Sequence, residues 1–128
     1  MNGPGRCEQA LRDLSLVALG AIPGALLRWS LGHTLTANLL GCLAMGLALA
    51  MAARRPGVML GLGVGFCGSL TTFSTWMLEL SGSLLAGRPG EAIATLVVPL
   101  AAGLALLSLG LTIGQVLIGA RTLPRRDR

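Results

Sequence analysis

The chain has no lysine and few acidic residues, aromatic rings or cysteines. Charged residues make up 12% of its 128 residues and apolar residues 53%, and the mean hydropathy is +0.76. So little charge cannot cover the surface of a soluble domain, which excludes that class and places the chain in a bilayer. The three cysteines have no zinc-ligand spacing and no neighbouring histidine, so we interpret them as buried structural thiols.

The placement of the basic residues indicates topology. All ten are arginines, against five acidic residues, and the net charge is +5. Eight of the ten lie in the N-terminal segment, at Arg54 and Arg55 or in the C-terminal tail, whereas Arg28 and Arg88 lie towards the opposite ends of the apolar stretches. The positive-inside rule then predicts that both termini lie in the cytoplasm. We expect a multi-pass protein of the plasma (cell inner) membrane, and the placement of the arginines argues against a nucleic-acid partner.

Four apolar stretches predict an all-α membrane protein with four transmembrane helices, because about 20 residues of helix cross a bilayer core of roughly 30 Å. We expect a polar lead-in over residues 1–13, a four-span domain over 14–120 and an Arg-rich cytoplasmic tail over 121–128. The first span must continue through Arg28 to be long enough. A secretory signal peptide is the alternative there, but Pro23 and Gly24 take the place of a small-residue cleavage site.

Small residues predict how the spans associate. Glycines recur four positions apart in three spans, at 20 and 24, 61 and 65, and 110 and 114. This spacing lets helix backbones approach closely in lipid. Four such helices enclose little interior of their own, so a transport path is expected to need a second subunit.

The stretch "GFCGSLTTFSTW" at 65–76 carries five hydroxyl residues within an otherwise apolar span. Its glycines and hydroxyls favour a break in the third helix near its middle. Backbone carbonyls released by a break at membrane depth must be buried or must coordinate something, and with hydroxyls beside them they suit a hard monovalent cation. The alternative is that the hydroxyls bond back to the preceding turn and leave the helix intact but bent.

Other polar and aromatic groups are candidates for an ion path. Phe73 and Trp76 share a helical face, and ring edges turned inward favour an anion without holding it too tightly, although packing alone is the alternative. Asn38 offers amide donors in the second span. Ser108 and Thr112 lie on one face of the fourth.

These residues resemble the signatures of the Fluc/CrcB family of small fluoride channels over essentially the whole chain. The matching segments are "GALLRW" at 24–29, "TANLLGC" at 36–42 and, most distinctively, "GFCGSLTTFSTWMLE" at 65–79. The resemblance implies a passive fluoride-selective channel, not an enzyme, that exports cytoplasmic fluoride and confers fluoride resistance. It also implies an antiparallel dimer with two pores at the subunit interface and one structural sodium ion (Na+) at its centre.

The resemblance also implies roles for individual residues. The carbonyls of Gly68 and Thr71 would hold the sodium ion, and Arg28 and Glu79 match the intramembrane charges of the family. The implied fluoride pathway comprises Asn38, Phe73, Trp76, Ser108 and Thr112. Two departures stand out: Trp76 replaces the usual second Phe, enlarging one ring edge and adding an N–H donor, and Ile22-Pro23-Gly24 replaces a glycine pair in the first span.

The arginine asymmetry bears on the partner, because a subunit that inserts both ways should carry balanced charge. With eight arginines against two, we expect one orientation and an oppositely oriented homologue as partner, a homodimer being the alternative. A small four-span proton-coupled multidrug exporter is the competing function. It requires a membrane carboxylate, usually early in the chain, and the stretches expected to form the first two spans contain none. A non-transporting assembly subunit is a third possibility.

Overall fold

The computed structural model describes residues 5–120, which form helices joined by short turns. The first helix is Arg6–Leu31, the second Thr34–Ala52 and the fourth Pro89–Ala120. The third span consists of Pro56–Val58, a π-helical segment Met59–Cys67, a last turn Gly68–Leu70 and, after an interruption, Ser74–Leu85. All four spans are long and apolar enough to cross a membrane. The prediction of an all-α, four-span protein with a broken third helix is confirmed.

The N-terminal segment differs from the expectation. Residues 6–13, predicted to belong to a polar lead-in before the first span, form the first turns of the first helix, which begins at Arg6 rather than near Leu14. Glu8 lies in the first turn, where a carboxylate interacts favourably with the helix dipole. Glu8 and Asp13 therefore belong to the first helix, at its N-terminal end, although the sequence indicates a first span without acids. The predicted tail at 121–128 lies outside the described residues.

Short turns make consecutive helices antiparallel. The first helix ends at Gly32, whose φ of 65° is a left-handed conformation that glycine adopts without strain. The Gly32 N–H donates to the Arg28 carbonyl at 3.4 Å, and the second helix begins two residues later.

Two close helix crossings hold the bundle together. The first helix packs on the π-helical segment, and the second packs on the fourth. At the first crossing, a Cβ added to Gly20 would meet the Gly61 carbonyl, and one added to Gly65 would meet the Val17 carbonyl. The predicted close contact through small residues is confirmed here, because only glycine leaves room for the opposing backbone.

The second crossing repeats this arrangement. A Cβ on Gly46 would meet the Leu107 carbonyl, and a Cβ on Gly110 would meet the Leu43 carbonyl. Each glycine thus admits the backbone of the other helix. This geometry fixes the second helix, which carries Asn38, against the fourth.

The interpretation of the cysteines as buried thiols holds for two of the three and is wrong for the third. Cys67 is 1% exposed and Cys42 is half-buried, as expected for structural thiols. Cys7 is exposed in the first turn of the first helix, so it is not buried within this chain.

Candidate functional site at the interrupted third span

The third span is interrupted between Leu70, where one helical segment ends, and Ser74, where the next begins. Thr71 is extended, with φ −82° and ψ 153°, so the chain leaves the helix at this residue. Leu70 is fully buried and Thr72 is 9% exposed. The irregular backbone is therefore buried at Thr72, whereas Thr71 is half-buried and Phe73 is exposed in the single chain.

Asn38 stabilises the interrupted backbone through two hydrogen bonds to Thr72. The Thr72 N–H donates to Asn38 Oδ1 at 2.8 Å, and Asn38 Nδ2 donates to the Thr72 carbonyl at 3.0 Å. The side-chain amide thus pairs with both polar groups of one backbone residue. In an unbroken helix the Thr72 N–H would donate to the Gly68 carbonyl four residues earlier, so Asn38 removes the helical donor of that carbonyl.

The hydroxyls of this segment bond back to the preceding turn. Thr71 Oγ1 donates to the Cys67 carbonyl at 2.9 Å, and Ser69 Oγ lies 2.8 Å from the Gly65 carbonyl. Ser69 Oγ also lies 2.9 Å from the Ala21 carbonyl, which ties the break to the first helix. The hydroxyls thus bond back to the preceding turn, as in the alternative interpretation, but the helix is not intact: it is interrupted between Leu70 and Ser74.

Gly68 and Thr71 fit the donor set of a hard cation. The Gly68 carbonyl lacks its helical donor, Gly68 is exposed in the single chain, and a Cβ built there meets nothing within 4 Å. Thr71 is half-buried, and its extended backbone leaves the helix at this residue. Neutral carbonyl oxygens suit monovalent cations. Within residues 5–120 no cluster of His, Cys, Asp or Glu could hold a metal ion.

The two aromatic rings form an edge-to-face pair. The ring centroids of Phe73 and Trp76 are 5.8 Å apart and the planes are 83° apart. Phe73 is 68% exposed in the single chain, so its ring is largely free to meet a partner. Trp76 is half-buried, and its indole Nε1 donates to the Thr95 carbonyl of the fourth helix at 2.6 Å. The N–H that distinguishes Trp76 from phenylalanine is therefore engaged within the protein.

Two cavities meet at the Asn38 and Trp76 side chains. One, of about 290 Å³, is also lined by Thr34 and Glu79. The other, of about 320 Å³, is lined by Thr71, Thr72 and Phe73 as well as the side chains shared by both. The structure thus brings Asn38, Phe73, Trp76 and Thr71 together.

The polar residues of the fourth helix lie apart from these cavities. Ser108 and Thr112 are exposed and line neither of the two. Ser108 Oγ donates to the Leu104 carbonyl and Thr112 Oγ1 to the Ser108 carbonyl, each at 2.8 Å. Their hydroxyl hydrogens are occupied by the backbone in this single chain.

Arg28 and Glu79 do not pair with each other. Arg28 is half-buried, with its guanidinium 3.5 Å from Thr75 Oγ1, and it lines a third cavity of about 480 Å³. Glu79 is exposed. Among the residues that the structure describes, the one salt bridge joins Arg88 to Glu91 at 2.8 Å.

Thr95 and Pro99 were missed by sequence reasoning, although both contribute to this site. Pro99 lines both cavities beside Asn38, and the Thr95 carbonyl receives the Trp76 hydrogen bond. The signal in the sequence was Pro99 within an apolar helix, because a proline leaves the carbonyl four residues earlier, here that of Thr95, without its helical donor. The sequence does not show which other donor reaches that carbonyl.

Fold and site together define a small four-span helical membrane protein with a side-chain amide inserted into a broken third span. The chain belongs to the CrcB family: the family model described as "CrcB-like protein, Camphor Resistance (CrcB)" matches residues 15–111. This is a family of fluoride ion channels, not of enzymes. The resemblance seen in the sequence is confirmed.

Relatives are similar over most of their length. "Fluoride-specific ion channel FluC 2" of Prochlorococcus marinus (strain MIT 9313) is 43% identical over 102 residues, covering 80% of this chain and 82% of the relative. FluC 2 of Synechococcus sp. (strain CC9902) is 43% identical over 110 residues, covering 82% and 81%. FluC 1 of that same strain is 39% identical over 114 residues, covering 77% and 90%.

Proposed function

We propose that this chain forms a passive fluoride-selective channel that lets fluoride leave the cytoplasm across the plasma membrane. The observation that carries the proposal is the Asn38 amide at the break in the third span, in a chain whose relatives are named fluoride-specific ion channels. None of the side chains that line the cavity beside Phe73 is basic, so none of them would hold an anion by a full charge.

The mechanism follows from the donors that line the cavities. Asn38 Nδ2 carries two hydrogens, of which one is given to the Thr72 carbonyl, so the second is available to fluoride. The exposed ring edge of Phe73 supplies a weaker positive potential nearby. Fluoride exchanges hydration water for these contacts and leaves down its electrochemical gradient. Ser108 and Thr112 extend the pathway once their hydroxyls rotate towards the ion.

A sodium ion is the cofactor that this site would hold. Gly68 and Thr71 carbonyls of two facing subunits would provide its ligands, because Asn38 has withdrawn the helical donor of Gly68. When bound, the ion supplies a fixed positive charge that ties the two broken spans together. In this proposal Arg28 and Glu79 are intramembrane charges outside the sodium site.

The partner is a second, oppositely oriented subunit. Phe73 and Gly68 are exposed in the single chain and would lie at the shared interface. The arginine bias favours one orientation for this chain, and one Synechococcus strain has relatives named both FluC 1 and FluC 2. We therefore favour an antiparallel heterodimer with a homologue over a homodimer.

Orientation gives a direct prediction. Tags placed at the two termini should be reachable by protease only from the cytoplasmic side, because eight of the ten arginines favour the orientation with both termini in the cytoplasm. The measurement is protease protection in spheroplasts and in inverted vesicles, with a control protein of known orientation in each. A comparable population with its termini outside would instead support a dual-topology homodimer.

Fluoride efflux from proteoliposomes tests the function itself. The chain reconstituted with its homologue should release fluoride without a pH gradient, while chloride is retained. The chain alone should release little if the heterodimer is obligatory. Drug flux that depends on a pH gradient would favour the multidrug exporter. A folded dimer in proteoliposomes that transports neither fluoride nor drug would favour an assembly subunit.

A further inference from the structure

Pro99 leaves one carbonyl of the fourth helix without its ordinary donor. In an α-helix the carbonyl of a residue accepts the N–H of the residue four positions later. For Thr95 that residue is Pro99, which lies inside the helix and has no N–H. An unpaired carbonyl at membrane depth is costly, so Thr95 requires a donor from elsewhere.

Trp76 provides that donor from the third span. Its indole Nε1 donates to the Thr95 carbonyl at 2.6 Å. Indole nitrogen is a donor only, with no acceptor capacity, so the match between the ring and the free carbonyl is complementary. A phenylalanine at this position would leave the carbonyl without this bond.

The hydrogen-bonded ring also stands between two cavities. Trp76 lines both the cavity of about 290 Å³ that contains Glu79 and the cavity of about 320 Å³ that contains Phe73. Asn38 and Pro99 are the other side chains that border both. The indole therefore forms part of the boundary that an ion passing from one cavity to the other would meet.

We propose that Thr95 and Pro99 are positioning residues, which fix the Trp76 ring as a wall between the two cavities and engage its N–H so that it is not a fluoride ligand. The proposal deepens the proposed channel function and rests on it for its transport consequence. The geometry of the hydrogen bond stands on its own.

A double-mutant cycle tests the proposal through flux. Trp76→Phe removes the donor and leaves the partial negative charge of the Thr95 carbonyl facing the path, so fluoride efflux per folded dimer should fall about tenfold. Pro99→Ala restores a backbone N–H to Thr95, so the double variant W76F/P99A should recover efflux to the wild-type rate or above. Pro99→Ala alone completes the cycle: its new N–H competes with the indole for the Thr95 carbonyl, so solvent exchange of the Trp76 indole N–H should become faster than in the wild type.

Equal efflux for W76F and W76F/P99A would overturn the proposal, since the Thr95 carbonyl would then not matter. A second readout does not depend on transport: in the W29F background the ¹⁵N signal of the Trp76 indole should show an N–H protected from solvent exchange. Exchange as fast as that of an exposed indole would overturn the proposal even if fluoride passes. If the wild type carries no fluoride, the channel function fails, whereas the indole signal still decides whether Trp76 is positioned in this way.

Discussion

Replacing Asn38 by leucine is expected to abolish fluoride conduction and to destabilise the fold. Leucine has nearly the same size but cannot accept from the Thr72 N–H or donate to the Thr72 carbonyl, the two bonds that Asn38 makes at 2.8 and 3.0 Å. The buried Thr72 carbonyl is left without this donor even where the Thr72 N–H finds another acceptor, which costs about 1 to 3 kcal/mol. The pathway also loses its amide donor. Fluoride efflux and thermal unfolding of the same preparations measure the two effects.

A sodium titration separates loss of the break from loss of the pore lining. Without Asn38 the Thr72 N–H is free to donate to the Gly68 carbonyl. This is the hydrogen bond that an unbroken helix would contain. Sodium should then raise the melting temperature of the wild type but not that of the leucine variant, since only the wild type retains the free carbonyl. At a concentration about 100 times the dissociation constant, the expected gain is roughly 2.7 kcal/mol.

Thr36→Val is the matched control for this substitution. Thr36 lies on the same helix, two residues before Asn38, is exposed, and makes no side-chain hydrogen bond among those of the described residues. Its replacement exchanges a polar side chain for an apolar one of similar size without touching the break. Full conduction by the leucine variant, with sodium stabilisation intact, would refute the role of Asn38 in this site.

The features predicted correctly from the sequence are those with a local physical cause. Apolar stretches of membrane length locate the four spans, and glycine with clustered hydroxyls locates the break at 71–73. Glycines four residues apart locate the crossing of the first helix on the third span. Each depends on residues close together in the chain.

The features that the sequence did not reveal depend on contacts between residues far apart in the chain, or on a helix that extends beyond its membrane-embedded part. Asn38 was predicted as an anion donor, but its pairing with Thr72 joins residues 34 positions apart. Trp76 was recognised as an additional N–H donor, yet its acceptor depends on Pro99 in another helix. The early start at Arg6 was missed because a hydropathy pattern marks the membrane-embedded part of a helix and not its water-exposed turns.

The second large effect is expected at the crossing of the second and fourth helices. In Gly46→Ala the new Cβ would overlap the Leu107 carbonyl, and in Gly110→Ala it would overlap the Leu43 carbonyl. Backbone atoms cannot rotate aside as the end of a side chain can, so the helices must separate. The expected loss is about 3 kcal/mol, the upper end for overpacking. Thermal unfolding in nanodiscs measures it.

Gly82→Ala provides the control, because the same chemical change is made where a Cβ meets nothing within 4 Å. Gly82 is exposed within Ser74–Leu85, so alanine should stabilise that helix by about 0.5 to 1 kcal/mol through lower backbone entropy of the unfolded chain. The opposite signs of the two results would show that contact between the helices, and not helix propensity, requires glycine at 46 and 110. Equal stability of all three variants would mean that the second and fourth helices do not cross this closely, and Asn38 would then lack the rigid support that holds it against Thr72.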